Sequence, residues 1–170
     1  MNDIQIIPTE FIVEDEVLKG NFVIPNADGP FPGVCKLHGL PGGSDQISGF
    51  ATRLAQAGFA VLTFDFRGFR TSDGFFTLSG QIKDASCAIT HLLESDFTDE
   101  SWSGVYAASW GAAVAVCTLA VDSRVNALCL RAPVFDTLWF SQSPMIRPAV
   151  DLIVETDPTQ IRGIDDLEKQ

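Results

Sequence analysis

A chain of 170 residues, with 46% hydrophobic and 19% charged residues, is long enough for one domain with a buried core and has a globular composition. Its formal net charge of −11 disfavours binding to nucleic acid and to anionic membrane surfaces, which carry the same sign of charge. No apolar stretch is long enough to span a bilayer, and no signal-peptide pattern is visible at the start.

The cysteine pattern predicts buried thiols. Each of the four cysteines is embedded in an apolar strand or helix pattern without CxxC spacing: Cys35, Cys87, Cys117 and Cys129. Small buried residues in a reducing, cytoplasmic compartment are the expected result. With two histidines and no Cys/His cluster, the sequence indicates neither a metal site nor a cofactor site.

The chain opens with two β-rich segments, Phe11–Glu14 and Val17–Ile24, that can pair as an antiparallel hairpin. A turn cluster of proline, asparagine, aspartate and glycine follows. Gly33–Leu37 is a short, mostly apolar segment, as expected of a strand that is buried on both faces. The glycine-rich loop His38–Gly43 comes directly after it.

Helices and strands alternate over the next part of the chain. Ser44 or Asp45 could cap a helix over about residues 46–57, and Phe59–Phe64 is the next predicted buried strand. A polar loop leads from that strand to Ser79–Leu93, whose apolar residues recur at helical spacing.

The last regular elements surround a serine. The predicted strand Gly104–Ala108 precedes a helix, Trp110–Ala120, that is apolar on every side and is therefore expected to be central and buried. Val125–Leu130 is the sixth predicted strand. The stretch from Pro133 onward is less regular, and residues 153–170 are predicted to form a polar, flexible tail.

This alternation predicts an α/β fold with a mostly parallel sheet, right-handed crossovers and an N-terminal antiparallel hairpin. No internal repeat or low-complexity linker interrupts it, so we expect a single domain over residues 1–170. Three motifs whose residues could form a catalytic site each lie at the end of one of the predicted parallel strands.

The strongest functional signal is the sequence Ala107-Ala108-Ser109-Trp110-Gly111 at a strand-to-helix junction. A nucleophile at such a junction needs a sharp, strained turn, and small residues two positions either side avoid a collision. The first and last residues of the motif meet that need. The Trp110 N–H would lie at a helix N-terminus, where unpaired donors and the helix dipole favour an oxyanion. A plain helix N-cap serine is the alternative interpretation.

The loop His38–Gly43 could supply a second donor to the same site. An acyl-transfer site needs two N–H groups that converge on one oxygen, and a glycine-rich loop beside the nucleophile strand can provide one of them. The Leu40 N–H is the candidate. His38 is expected to anchor the loop through hydrogen bonds at the strand end. A plain glycine turn is the alternative interpretation.

The third motif is Asp65-Phe66-Arg67-Gly68, which ends the strand Phe59–Phe64. Asp65 and Arg67 could fix the geometry of the following loop through charge-assisted hydrogen bonds. A surface ion pair that contributes little to stability is the alternative.

In this order and spacing, the three motifs resemble the α/β-hydrolase superfamily, in the branch of the serine aminopeptidases, monoacylglycerol lipases and cinnamoyl esterase-like hydrolases. There, a hairpin leads to a strand ending in His-Gly, then to a strand ending in Asp-x-Arg-Gly, and then to a Gly-x-Ser-x-Gly turn, the nucleophile elbow. The resemblance covers about residues 17–136 and implies a three-layer α/β/α fold that acts on carboxylic ester or related acyl bonds. By position, it implies Ser109 as nucleophile and the Leu40 and Trp110 N–H groups as oxyanion donors. Residues implied to have structural roles around the site are His38, Gly39, Asp65, Arg67, Gly68 and Gly111.

The sequence departs from that family in three places. Phe69-Arg70 stands where the family has His-Gly, and the elbow begins with Ala107 instead of glycine. The family also continues through two more strands, which carry the acid and then the histidine of its triad. Here no histidine follows His91, so we expect a hydrolase fold that is truncated on its C-terminal side. Asp136, after the sixth strand, is a candidate acid.

A serine hydroxyl is a poor nucleophile without an adjacent base, and neither histidine is an obvious base for Ser109. His91 lies two residues from the inward-facing Ile89, about 200° around the helix, so it is predicted to be an exposed helix residue. His38 lies on the oxyanion side of the predicted site. We therefore expect weak hydrolysis by this chain.

Three functional hypotheses remain open. The first is an enzyme of the hydrolase fold, shortened or one half of a split enzyme, with a small-molecule ester or acyl substrate. The second is a non-catalytic protein of the same fold that binds a ligand or partner in the same cleft. The third, a nucleotide-binding domain, is disfavoured because the loop reads Gly-x-x-Gly-Gly and no P-loop lysine follows it.

The sixth predicted strand also suggests an association surface. Without two final strands it becomes an edge on which Val125, Ala127, Leu128 and Leu130 are partly uncovered, and such an edge invites strand pairing. We expect cover from the segment Phe135–Val154 folding back, from a second copy in a homo-oligomer, or from a complementary chain.

Overall fold

The computed structural model describes residues 3–42 and 49–164, which form strands and helices in alternation. The strands are β1 (Ile4–Val13), β2 (Glu16–Pro25), β3 (Phe31–Leu37), β4 (Ala60–Phe64), β5 (Thr98–Ala108) and β6 (Ala127–Arg131). The helices are α1 (Phe50–Gln56), α2 (Leu78–Leu93), α3 (Trp110–Leu119), α4 (Thr137–Gln142) and α5 (Ile146–Thr156).

The six strands form one sheet in the order β1-β2-β4-β3-β5-β6. β1 and β2 pair antiparallel as the predicted hairpin, and β2 also pairs antiparallel with β4. The remaining contacts, β3 with β4, β3 with β5 and β5 with β6, are parallel. Because parallel strands need crossover connections, α1 joins β3 to β4, α2 joins β4 to β5, and α3 joins β5 to β6. The predicted mostly parallel sheet with an N-terminal antiparallel hairpin is confirmed.

Helices cover both faces of the sheet, so the fold has the three expected layers. On one face, α1 packs Ala51 and Ala55 onto a small apolar cluster with Val34 and Val61. On the other face, α2 and α3 enclose the larger apolar cluster of the protein. All five residues of β4 are buried, as expected of a central strand covered on both faces.

Several element boundaries differ from the predicted ones; β5, for example, begins at Thr98 instead of Gly104. β1 begins at Ile4 instead of Phe11, because backbone pairing with β2 extends to the register Ile4–Pro25 although polar residues interrupt the strand pattern. α1 begins at Phe50. The predicted caps of this helix, Ser44 and Asp45, lie outside the described residues.

The C-terminal part of the chain is more regular than predicted. α4 and α5 form where an irregular stretch was expected, and residues 153–164 continue from α5 and pack on the loop after β4. Ile161 is 2% exposed, and the Arg162 N–H donates to the Gly68 carbonyl oxygen at 2.7 Å. The residues that contact this segment are far from it in the sequence. Its mostly polar composition therefore suggested a solvent-exposed segment. The rest of that predicted tail, residues 165–170, lies outside the described residues.

β6 remains an edge strand. The segment Phe135–Val154, one expected source of cover, instead packs Phe140 against Trp110, with ring centroids 5.7 Å apart. Leu128 of β6 is 43% exposed, and four of the five β6 residues are exposed. Folding back of the chain onto β6 is therefore the wrong expectation for the residues that the structure describes.

The thiols are less buried than predicted. All four are free, but only Cys35 is buried; Cys87 is half-buried, and Cys117 and Cys129 are exposed. Burial raises the pKa of Cys35 to about 12. Cys117 lies on the outer face of α3 beside the 50% exposed Val116, so the prediction that α3 is buried all round is wrong for its second half.

Candidate active site

Ser109 lies where β5 ends and α3 begins, in a backbone conformation that few non-glycine residues adopt. Its φ of 52° and ψ of −119° fall outside the main allowed regions. Such a conformation costs about 1–3 kcal/mol and persists only when its surroundings enforce it. The Ser109 N–H donates to the Arg131 carbonyl oxygen at 2.9 Å, and the Val134 N–H donates to the Ser109 carbonyl oxygen at 3.2 Å. The predicted strained turn is confirmed.

The Ser109 hydroxyl is not used to cap the helix that follows it. Ser109 occupies the N-cap position of α3, but its side chain makes no capping hydrogen bond to this fully described helix. The simple N-cap interpretation therefore does not explain the serine.

Small residues hold the turn against the end of β3. A Cβ on Gly111 would lie 2.3 Å from the His38 carbonyl oxygen and 2.7 Å from that of Leu37. A Cβ on Gly39 would lie 2.8 Å from the Ser109 Cβ. The glycine-rich loop and the turn are thus in direct contact, and small residues are required by this packing as well as by the turn itself.

Replacing Gly111 with alanine is expected to lower the free energy of unfolding by about 1–3 kcal/mol, because the atoms that an added methyl would meet are backbone and must shift. Gly58→Ala is the control, since no atom lies within 4 Å of its Cβ position, although its φ of 99° strains alanine. Urea unfolding of both variants and the parent measures the difference. A smaller effect at Gly111 than at Gly58 would contradict the close packing.

Both candidate oxyanion donors are close to Ser109: Trp110 follows it in the sequence, and Leu40 lies in the loop that packs against it. Trp110 is the first residue of α3, and Leu40 follows Gly39, which touches Ser109. In the described part of the chain, neither the Leu40 nor the Trp110 main-chain N–H has a hydrogen-bond acceptor. Donors without acceptors at a helix N-terminus and in an adjacent loop can bind a developing oxyanion. Their convergence on a common point stays a prediction.

His38 is anchored at the end of β3 through both ring nitrogens. The Phe66 N–H donates to Nε2 at 3.1 Å, which leaves Nδ1 protonated to donate to the Gly39 carbonyl oxygen at 3.0 Å. The rings of Phe66 and Phe69 pack edge-on against the imidazole, and burial lowers the pKa of His38 to about 4. This neutral side chain fastens the glycine-rich loop. It cannot accept a proton from Ser109 without losing a hydrogen bond.

Asp65 and Gly68 shape the loop that follows β4. The Asp65 carbonyl oxygen accepts a hydrogen bond from the Ser72 hydroxyl at 2.7 Å. Gly68 has a φ of 81°, and a Cβ there would lie 2.4 Å from the Phe76 nitrogen. The Asp65 carboxylate lies 3.9 Å from His38 Nε2, so this loop and the glycine-rich loop are neighbours.

Arg67 makes its charge-assisted hydrogen bonds with Asp84 of α2. Arg67 Nε donates to Asp84 Oδ1 at 2.9 Å, Nη2 lies 2.8 Å from the same oxygen, and the Arg67 main-chain N–H donates to Oδ2 at 3.0 Å. The Asp84 side chain is 0% exposed. The surface ion pair considered as the alternative is therefore wrong for Arg67.

Asp84 and Gln81 were missed in the sequence. They lie at helical spacing on the buried face of α2, and Gln81 Oε1 accepts a hydrogen bond from the Trp110 indole N–H at 2.7 Å. Gln81 thereby fixes the side chain of the residue that follows Ser109. Both residues could have been found in the sequence, because they are polar residues at helix positions where the apolar pattern predicts apolar ones.

Asp136, the candidate acid, caps α4. Its Oδ1 accepts a hydrogen bond from the Trp139 N–H at 2.8 Å, and its side chain is exposed. Its role as a catalytic acid stays a prediction.

His91 does not lie near Ser109. Its Nε2 is 2.7 Å from Thr9 Oγ1 of β1, and its ring stacks on Phe11 with centroids 5.1 Å apart. Three strands separate β1 from β5, which amounts to about 19 Å across the sheet. The prediction that His91 is exposed is wrong, because β1 covers this face of α2. Burial lowers the pKa of His91.

Within residues 3–42 and 49–164, no group of three or more His, Cys, Asp or Glu side chains could hold a metal ion. Among the helices formed by these residues, none has both the length and the apolar character needed to cross a membrane.

Comparison with known proteins identifies the fold. Residues 32–170 match the family model described as alpha/beta hydrolase fold. The chain is 29% identical over 133 residues to the quorum-quenching protein AidA of Acinetobacter baumannii, a match that covers 75% of this chain and 43% of AidA. The alpha/beta hydrolase GrgF from Penicillium sp. sh18 has a similar structure, with a TM-score of 0.73 and 23% identity over 91% of this chain and 54% of GrgF. An esterase from Pyrococcus furiosus is also similar, with a TM-score of 0.71 and 21% identity over 98% of this chain and 61% of the esterase.

The family match extends over most of the chain, although the chain spans less than half the length of AidA. The mostly parallel sheet and the strained turn between β5 and α3 agree with it. The chain therefore belongs to the alpha/beta hydrolase fold family.

Proposed function

We propose that this chain carries the nucleophile and the oxyanion donors of a serine hydrolase site that acts on carboxylic ester or related acyl bonds. The Ser109 turn is the observation that carries the proposal. Its strained backbone costs stability, and its hydroxyl does not cap α3. A catalytic function for this hydroxyl explains why the strained conformation is kept.

In the proposed reaction, Ser109 Oγ attacks the carbonyl carbon of the substrate and gives up its proton to a base. The carbonyl oxygen becomes an oxyanion, which the Leu40 and Trp110 N–H groups bind. Donors already in position need no reorganisation as the charge develops, so they stabilise the transition state. Collapse of the tetrahedral intermediate releases the alcohol and leaves an acyl-serine, which water then hydrolyses.

The base for this reaction is a group other than the two histidines of the chain. His38 uses both ring nitrogens, and His91 packs against β1, which lies at the opposite edge of the sheet from β6. Asp136 would be free to orient a base only if it left its capping position on α4. The chain by itself is therefore proposed to be a slow hydrolase.

Small-molecule esters are the proposed substrates. The esterase from Pyrococcus furiosus, which shares this fold at 21% identity, motivates the choice of class. A cytoplasmic location and the lack of a nucleic-acid partner stay predictions from the cysteine pattern and the net charge.

We expect the purified chain to hydrolyse p-nitrophenyl acetate slowly and through Ser109. General base catalysis contributes about 10²–10⁴-fold, so the rate should fall below that of a complete hydrolase by about this factor. Ser109→Ala should reduce the rate to background. Ser101→Ala, which alters an exposed serine at the other end of β5, should leave the rate unchanged. Nitrophenolate absorbance measures all three proteins.

Two results would contradict the proposal. Equal rates for the parent and Ser109→Ala would indicate a non-catalytic protein of the hydrolase fold. Fast turnover by the chain alone would show that a base is already in place.

A further inference from the structure

We infer that Gln81 of α2 is a positioning residue for the proposed oxyanion site. Through the Trp110 side chain, it holds the Trp110 main-chain N–H in place beside Ser109. The inference rests on the proposed function for the role of that N–H as an oxyanion donor. The contacts that hold Trp110 are part of the fold and can be tested without catalysis.

The first observation is that the carbonyl end of the Ser109–Trp110 peptide group is held by the main chain. The Ser109 carbonyl oxygen accepts hydrogen bonds from the Ala112 N–H at 3.1 Å and from the Val134 N–H at 3.2 Å. A trans peptide group is planar, so its N–H points away from its carbonyl oxygen. The two bonds therefore set the general direction of the Trp110 N–H. How well this direction is kept depends on the Trp110 end of the group.

The Trp110 side chain supplies the second attachment. Trp110 is 3% exposed, and its indole packs against Phe76 of the loop after β4 and Phe140 of α4, with ring centroids 5.1 Å and 5.7 Å away. Ring contacts of this kind tolerate sliding, whereas a hydrogen bond restricts both distance and direction. The bond from the indole Nε1–H to Gln81 Oε1, at 2.7 Å, restricts the Trp110 side chain in this way.

The Gln81 amide is oriented for Trp110 and not for its own hydrogen bonding. Gln81 is 0% exposed. An indole N–H can only donate, so the amide oxygen must face it. In the part of the chain that the structure describes, this orientation leaves Gln81 Nε2 without an acceptor. Replacing both members of such a pair with apolar groups can be neutral or stabilising, so stability alone does not require it. What the pair adds is a fixed position for Trp110.

Loss of this hydrogen bond is expected to displace the oxyanion donor without removing it. Complete removal of one oxyanion donor lowers kcat by about 10²–10³-fold. A donor that is present but displaced should have a smaller effect, about 10-fold in kcat. KM should change little, because the donor binds a charge that develops only in the transition state.

Gln81→Met tests the inference, because methionine has a similar length and no oxygen to accept the indole N–H. Its kcat for p-nitrophenyl acetate should fall about 10-fold with little change in KM. The amide NMR signal of Trp110 should also move, which reports the position of the donor without catalysis. Gln81→Glu keeps an oxygen at this position and should recover most of kcat.

Thr118→Val is the matched control on the same interface of α2 and α3. Thr118 is 1% exposed, and its hydroxyl donates to the Val114 carbonyl oxygen at 2.8 Å, about two helical turns beyond Trp110. This variant should lose stability in urea yet keep the parental kcat and Trp110 signal at a temperature where all variants are folded. A merely structural Gln81 would behave like Thr118 in all three measurements.

An unmoved Trp110 amide signal in Gln81→Met would overturn the inference, and so would a moved signal with a parental kcat. An equal fall of kcat in Thr118→Val would also overturn it, since loosening of the interface would then be the cause. Equal rates for the parent and Ser109→Ala would instead overturn the proposed function and the catalytic part of the inference. The amide signal would still decide whether Gln81 holds the Trp110 N–H.

Discussion

Replacing Asp84 with alanine is expected to lower the free energy of unfolding by about 3–5 kcal/mol, because it leaves the Arg67 guanidinium buried without its carboxylate. The Arg67 side chain is 11% exposed and its pairing with Asp84 joins the loop after β4 to α2. Glu14, 3.4 Å from Arg67 Nη1, is half-exposed and cannot replace the lost contacts. Urea unfolding at neutral pH measures the effect.

The control for Asp84→Ala is Asp151→Ala, which removes an exposed carboxylate paired with Arg147 at 2.8 Å on α5. Exposed pairs contribute little, so this variant should unfold almost like the parent. The double variant Arg67→Met with Asp84→Leu should recover part of the loss, since an apolar pair removes the uncompensated charge. Equal effects of Asp84→Ala and Asp151→Ala would contradict the buried pair.

The fold is also expected to lose about 3 kcal/mol of stability between pH 6.5 and pH 4 through His38 alone. Burial lowers the pKa of His38 from 6.5 to about 4 in the folded chain. Below pH 6.5 the unfolded chain therefore binds a proton that the folded chain does not, and proton binding favours unfolding. The stability contributed by neutral His38 is fully present above pH 6.5 and declines as the pH falls.

Nuclear magnetic resonance of the imidazole protons tests this directly, because the His38 signals should shift near pH 4. Urea unfolding between pH 7 and pH 4 gives the matching change in stability. His91→Gln is the control: His91 is only half-buried, and most of the loss should persist without it. Titration of His38 near pH 6.5 in the folded protein would contradict its buried, neutral state and reopen its candidacy as the base for Ser109.

The sequence by itself determined the features that depend on neighbouring residues. The hairpin of β1 and β2, the parallel strands and the turn at Ser109 follow from patterns within a few residues: alternation in strands, apolar spacing in α2, and small residues around the serine. These patterns report the local backbone conformation, which neighbouring side chains largely control. The strained φ of Ser109 could be predicted because only small residues at positions 107 and 111 permit it.

Tertiary structure alone decided which surfaces are covered and which charges meet. The carboxylate that pairs with Arg67 comes from Asp84 on α2, and the cover over His91 comes from β1. Apolar patterns around Cys129 predicted burial, yet β6 is an edge strand and the thiol is exposed. The polar run around Ile161 suggested solvation, yet it packs on the loop after β4. Periodicity shows which face of an element is apolar, whereas burial depends on whether another element, distant in the chain, lies against that face.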